Sequence, residues 1–478
     1  MTIQFLQHTL FFPMMIHGLG FLSLSASLVL PWALTGLVQG DRITKSLVND
    51  VKDVRQSSTN QEMPLPSRKL ISAIPTATKY YVSDTGNDRN SGLTTSSAFR
   101  TIQRAANLTN PGDTVLIMNG VYKNTGKTGS VIEIKRSGKA NAWITYKAYP
   151  GHRPKLQYNG WHGIWIYNRA SYVEVNGLEV VGNNGNIDRD YAMSQKYNVS
   201  NPKTNGNCIS IDGRKSGQTH HIRLLNNKIH DCGGGGITVI ESDYVTIDNN
   251  EVFNSAWYSV FGCSGISLLN SRNYDNSKNY KMFVTRNKVY NNQMLVPWIQ
   301  NGKYQDGNGI IVDRSRNYGY RGRTLIANNI SYRNGGSGIH TYESDHVDIV
   351  NNTAYLNNRT AGSNSGQIMS NYSSDIKVVN NILYSASKKP INLNNRSSNV
   401  TFNYNLYNNN GSRVSAVGPN DIMADPMFMN PSNGDFRLNR KSRAINSGMR
   451  WNNLTTDILG KSRVYGSASE RGAYEMQY

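Results

Sequence analysis

The chain has 478 residues, 38% of them apolar, and its mean hydropathy of −0.53 is too low for a protein that crosses a membrane many times. Its 43 glycines, abundant asparagines and scarce helical patterns favour a β-rich, turn-rich fold. The 51 Lys and Arg outnumber the 31 Asp and Glu, a formal +20 that suits nucleic acid, anionic lipid or acidic polysaccharide, but no basic block exists, which argues against nucleic acid.

Residues 9–38 are almost wholly apolar, long enough for a signal sequence or one membrane anchor. Val38-Gln39-Gly40 offers a cleavage site. The preceding MTIQFLQH carries no Lys or Arg, and Arg42 and Lys45 follow the apolar run, which is the charge order of an uncleaved anchor. Export to the cell surface or medium is the expectation, because the remainder reads as an extracellular module. Residues 1–40 are therefore a signal peptide or anchor, and the membrane is a partner only through an uncleaved anchor. Residues 41–78, with Pro64, Pro66 and Pro75, read as a linker. Residues 79–476 form one domain, read as a monomer.

Phe99, Ile102, Ala105 and Ala106 mark a short helix, followed by the turn Asn110-Pro111-Gly112-Asp113 and a strand from Thr114 to Met118. A short phrase then recurs: an Asn-containing pair, an aliphatic residue, an aromatic residue or His, and later Gly before an aliphatic. The second Asn falls at 227, 250, 287, 329, 352 and 381, with Tyr404 in the next matching place; the intervals are 23, 37, 42, 23, 29 and 23. A unit of about 23 residues with inserted loops is a solenoid signature. Ile222 and Leu224, Val245 and Ile247, Val347 and Ile349, and Ile376 and Val378 alternate at equivalent places, so the unit is built of strands. A 10-residue helix does not fit inside it. The result is an all-β, single-stranded parallel β-helix, with the helix near residue 102 as its N-terminal cap. Asn at the corners tolerates left-handed backbone, and its stacked amides can hydrogen-bond from coil to coil. The three cysteines, Cys208, Cys232 and Cys263, form no disulfide framework or zinc spacing and are read as core or turn residues.

The segments Tyr80-Tyr81-Val82-Ser83, Gly86-Asn87-Asp88 and Phe99-Arg100-Thr101-Ile102-Gln103-Arg104-Ala105 resemble the N-terminal module of secreted pectin-lyase-like β-helix proteins. These include family 9-type pectate lyases and alginate-acting enzymes. Asp435-Phe436-Arg437-Leu438 and Arg471-Gly472-Ala473-Tyr474-Glu475 resemble the end of such chains. The resemblance covers about residues 79–476. It implies a right-handed β-helix and a polysaccharide-active protein, but one fold hosts many chemistries.

In plain coils the Asn-to-Gly step spans 9 residues; it grows to 15 between Asn250 and Gly265 and to 22 between Asn287 and Gly309, and a further insertion precedes Cys208. These loops wall the strand that follows Gly, and loops on a rigid scaffold commonly carry function. Their Trp257, Trp298 and Tyr304 are candidates to stack on sugar rings. With Ile310 and Val312 facing inward, Asp313 points out of the groove strand. Asp212 does the same three coils earlier, about 15 Å away by strand spacing. Asp306 lies just before the second strand, Arg314 and Arg316 follow Asp313, His340 sits outward beside Ile311, and Lys281 lies one coil back.

A lyase or epimerase on uronate sugars neutralises the C6 carboxylate and removes the C5 proton, using a cation such as Ca²⁺ and a Lys, Arg, His or Tyr. The expectation is a polysaccharide lyase cleaving an acidic glycan by β-elimination, with Asp306, Asp313, Arg314, Lys281 and His340 catalytic and Trp257, Trp298, Tyr304, Arg316 and Asp212 binding substrate. A glycoside hydrolase is the alternative, needing two of Asp306, Asp313, Glu343 and Glu241 to face each other; a non-catalytic glycan binder is the third reading. The resemblance implies Ca²⁺ held by clustered aspartates. Asn308 stands where another carboxylate would be expected, which weakens that expectation.

Overall fold

Strands of two to six residues, repeating once per coil, cannot bury their apolar edges alone and stack into parallel sheets. The computed structural model describes residues 77–477 apart from 125, 127, 128, 215, 216 and 409. The leader or anchor, and the linker up to residue 76, lie outside the described residues. Three long parallel sheets run the length of a right-handed β-helix. An eleven-stranded sheet runs from Lys79–Val82 to Ser398–Asn403, and a nine-stranded sheet from Ser130–Ile134 to Asn392–Asn395. A second eleven-stranded sheet of very short strands runs from Val121–Lys123 to Ile422–Met423. The nine-stranded sheet is here termed the groove sheet.

Register is strict. Ile209, Ile237, Ile266, Ile310, Ile339 and Ile368 form one column in the groove sheet, and every one is fully buried. A one-residue slip would turn that column to solvent, so burial itself fixes the pairing. At the N-terminal end Ile102–Ala106 forms the expected cap helix, with Thr101 accepting from the Arg104 backbone N–H and Ile102, Ala105 and Ala106 buried.

The corner asparagines form the expected ladder. The backbone N–H and Nδ2 of Asn227 both donate to Oδ1 of Asn250, at 2.9 and 3.0 Å. The pattern repeats through Asn287, Asn329, Asn352, Asn381 and Asn405 and ends on Asp421. The residue before each ladder Asn is left-handed, from Asn226 at φ 57° to Tyr404 at φ 56°. Tyr404 therefore occupies the left-handed place and Asn405 the ladder place, which corrects the sequence alignment by one residue. A second ladder, Asn292, Asn334, Asn357 and Gln367, holds the turn that leads into the groove strands.

The cysteine reading needs a correction. Cys208 and Cys232 form a disulfide, and Cys263 is the free thiol. Their spacing of 24 is one coil, and residues one coil apart are neighbours in a solenoid.

Candidate functional site

The inserted loops build one wall. Ile187 and Ala192 of the first insertion, Tyr258 and Val260 of the second and Val296 of the third share a small apolar core, with Met193, Trp257, Phe261, Leu295 and Ile299 packed on it. Packing the insertions against one another gives them a fixed shape over the groove sheet. The floor follows from strand alternation: outward positions form one column with Ile311, His340 and Met369, and another with Leu269, Asp313, Tyr342 and Asn371. Between wall and floor lies a groove of about 870 Å³, into which Trp298, Tyr304, Asp306, Asp313, Arg314, His340 and Tyr342 project.

Backbone constraints make this approach possible. A Cβ at Gly262 would collide with Oδ2 of Asp306, and a Cβ at Gly309 would collide with Ser331 Oγ. Arg314 takes left-handed geometry at φ 54°, which turns the chain sharply at the end of strand Ile310–Asp313.

Two carboxyls hold their protons unusually well. Burial pushes Asp306 up to about 6, against hydrogen bonds from Gln305 and Asn308; Nδ2 of Asn308 donates to its Oδ1 at 3.2 Å. Burial pushes Asp313 up to about 7; Arg314 opposes this, while Asp306 and Glu343 add to it. Arg314 Nε lies 3.9 Å from Asp313 and 3.7 Å from Glu343, too far for firm hydrogen bonds, so its fork remains available. Burial pulls His340 down to about 4, keeping it neutral, and its Nε2 has no hydrogen-bond partner among the described residues. Tyr342 sits edge-on to His340, ring centroids 6.1 Å apart, and burial followed by Glu343 raises its hydroxyl. The set can exchange protons near neutral pH beside an available cation.

The family model for the Pel9A-like right-handed β-helix region matches residues 80–374. The chain belongs to this family. Pectate lyase L of Dickeya dadantii (strain 3937) is 26% identical over 440 residues, spanning 86% of this chain and 93% of that relative. Among solved structures, pectate lyase Pel9A is 16% identical with a TM-score of 0.49, covering 84% of this chain and 97% of that one. A rhamnogalacturonan lyase is 16% identical with a TM-score of 0.40, covering 74% and 91%. The span matched to the Pel9A-like family contains every residue that lines the groove, while residues 428–477 lie outside it.

The structure brings Asp306, Asp313, Arg314, His340, Trp298 and Tyr304 together. It places four other candidates elsewhere. Lys281 is buried on the sheet that begins at Lys79, its Nζ 2.7 Å from Asp243 and 2.9 Å from Asp275. Lys281 falls at a register irregularity between Tyr280 and Met282, and it is buried next to the buried Met282, which strict strand alternation cannot foresee. Asp212 lies in the Asp313 column three coils away, as expected, but is clamped by both Arg214 Nε and Nη2. Arg316 makes a bidentate pair with Asp345 instead of facing the groove. Trp257 is spent on the wall, its Nε1 donating to the Asn291 carbonyl at 3.0 Å. Tyr342 was missed, although it stands one coil beyond Asp313 in the same column.

The donor set does not match a protein-built Ca²⁺ cage. Ca²⁺ takes six to eight oxygens, whereas among the described residues no three His, Cys, Asp or Glu side chains gather as a metal site would require. The groove supplies two carboxylates, and Asn308 Oδ1 already accepts from the Ser337 N–H.

Proposed function

We propose that this protein is an exported enzyme that cleaves an acidic, uronate-bearing polysaccharide by β-elimination in the groove. The observation that carries the reading is Asp313: a carboxyl poised near pH 7, next to an Arg whose fork is not committed. The similarity to a protein named pectate lyase L supports the substrate class. Arg314 would neutralise the sugar carboxylate and so acidify the C5 proton. Ionised Asp313 takes that proton, the C5–H electrons form the C4=C5 double bond, and the C4–O bond breaks. Tyr342 donates its proton to the departing oxygen. Neutral His340 offers a hydrogen bond to the substrate, and Trp298 and Tyr304 supply ring faces for neighbouring sugars.

Hydrolysis is the second reading, because Asp306 supplies a second raised carboxyl in the same groove. Asp313, with the higher value, would then be the acid and Asp306 the base. The pH profile separates the two. β-Elimination needs Asp313 ionised, so turnover rises through about pH 7 and holds above it; hydrolysis needs Asp313 protonated and Asp306 ionised, so turnover peaks between about 6 and 7 and falls above. The test incubates the protein with polygalacturonate, alginate and a glycosaminoglycan, with and without chelator. Ultraviolet absorbance of an unsaturated uronate, growing through pH 7 and insensitive to chelator, is expected. New reducing ends without that absorbance would assign hydrolysis, and binding without cleavage would remove the enzymatic reading.

A further inference from the structure

Outside the groove, the C-terminal segment carries a second cavity. Residues 428–477 cover the sheet of very short strands, with Phe436, Ile458, Ala473 and Tyr474 packed on Ile330, Tyr332 and Tyr355. This is not the groove sheet, so the cavity opens on another face. It encloses about 560 Å³. Its apolar lining includes Met429 and Leu459, each more than half exposed, with Leu438 and Met476. Its rim carries Arg437, Arg440, Lys441 and Lys461.

The charges are one-sided. Arg437 is neutralised by Asp435, at 2.8 and 2.6 Å. No carboxylate among the described residues pairs with the side chains of Arg440, Lys441 or Lys461. Glu475, the acid in the lining, is buried and turned to Arg463 and the backbone N–H groups of Tyr465 and Glu470. Three exposed cations around exposed apolar side chains have no structural partner to explain them. A chain of uronate sugars presents what they lack: carboxylates at the ring edges and C–H faces between them. Such a ligand lets Lys and Arg stems lie on apolar surface while their heads meet charge.

We infer that this cavity is a second docking site for an acidic polysaccharide chain, separate from the groove. It holds the polymer while the groove acts on another stretch, which raises effective concentration without a new catalytic contact. The inference shares the substrate class of the proposed function but not its chemistry.

The test measures binding, in which the reaction plays no part. Retardation in native gels containing polygalacturonate is compared for the full protein, for Arg440→Glu/Lys441→Glu, and for the control Lys139→Glu/Lys147→Glu, two exposed lysines that line neither the cavity nor the groove. The cavity variant is expected to lose about tenfold in affinity with an unchanged Tm, because both side chains are exposed. The control carries the same change in net charge and is expected to lose less than twofold. Cleavage of a short oligouronide by the cavity variant should stay within twofold of the parent, since so short a chain cannot span both sites. Equal losses in both variants, or no loss in either, would overturn the inference. So would tighter binding to phosphatidylglycerol vesicles than to polygalacturonate, which would make the site a lipid-headgroup site. If the groove proves inactive on every polymer, the retardation result still stands by itself.

Discussion

Two acid clusters lie at different sheets of the same β-helix, one pairing the buried Asp243 with the exposed Asp275 and the other holding Asp306 and Asp313 in the groove, and their carboxyls are partnered in opposite ways. Around Lys281, the carboxylate of Asp243 is fully enclosed and receives Lys281 Nζ at 2.7 Å, the Tyr320 hydroxyl at 2.7 Å and the backbone N–H groups of Tyr244 and Tyr274. Its neighbour Asp275 is pulled down to about 2, chiefly by the Tyr244 hydroxyl and Lys281. In the groove, Asp306 and Asp313 have no tight cation and are pushed up to about 6 and 7. Burial alone does not make a carboxyl reactive. Saturation with partners makes an acid structural, and burial without them leaves a proton that can be moved at neutral pH.

The sharpest way to break this contrast is to remove one acid–base group from the groove. Asp313→Asn keeps shape and hydrogen-bonding capacity but not proton transfer, and kcat is expected to fall about 10³-fold with the fold intact. Steady-state rates on polygalacturonate and a circular dichroism spectrum check it; a loss below tenfold would dismiss Asp313 from the chemistry. The counterpart is Lys281→Met. It strands Asp243 and Asp275 without their cation, and stability is expected to drop by about 3 kcal/mol or more. The surviving folded fraction should turn over normally, as urea unfolding and rates normalised to folded protein will show. A Lys281→Met protein of full stability and no activity would reverse the assignment of the two clusters.

Much of the groove was legible in the sequence, because a solenoid converts spacing into position. The 23-residue period and period-two alternation suffice to seat His340 beside Ile311 and Asp313 three strands from Asp212. The insertions identified the walled strand for the same reason. What spacing could not supply was the partner of each charge. Lys281, Arg316 and Asp212 carry the residue types of an active site, yet each is neutralised by an acid or base whose approach depends on a bulge or a turn. The disulfide was legible in principle: Cys208 and Cys232 stand one coil apart, a spacing that matters only once the coil is known.

The same comparison predicts a smaller effect on stability. Asp313 is held at about 7 in the folded protein against an ordinary carboxyl value of 3.8. Its protonated form is favoured by folding, so that contribution is complete below pH 3.8, declines as pH rises, and is gone above about 7. At pH 8 the native state therefore bears the cost of a buried, weakly partnered charge. Three units would amount to about 4 kcal/mol at ~1.4 kcal/mol each, and the side chain's partial exposure to groove water trims this to about 2 kcal/mol. Asp313→Asn should raise stability by that amount at pH 8 and by almost nothing at pH 4. An inactive variant that is also more stable at pH 8 is the signature of a site that holds a strained charge for function.

The smallest expected effect concerns the wall. Trp298 lines the groove, whereas Trp257, in the neighbouring insertion, is packed into the wall with its Nε1 bonded to the Asn291 carbonyl. Both were equal candidates by residue type. If ring faces bind sugars, Trp298→Ala should raise KM about fivefold, roughly 1 kcal/mol of stacking, with kcat and Tm little changed. Trp257→Ala should do the reverse, lowering Tm through the cavity it leaves in the shared loop core and moving KM only as far as the wall itself shifts. The pair is informative because the two residues differ in what they touch rather than in what they are. Equal KM changes for both would mean that the wall acts as a unit and that neither ring meets the polymer, which would move sugar stacking to Tyr304 and Tyr342.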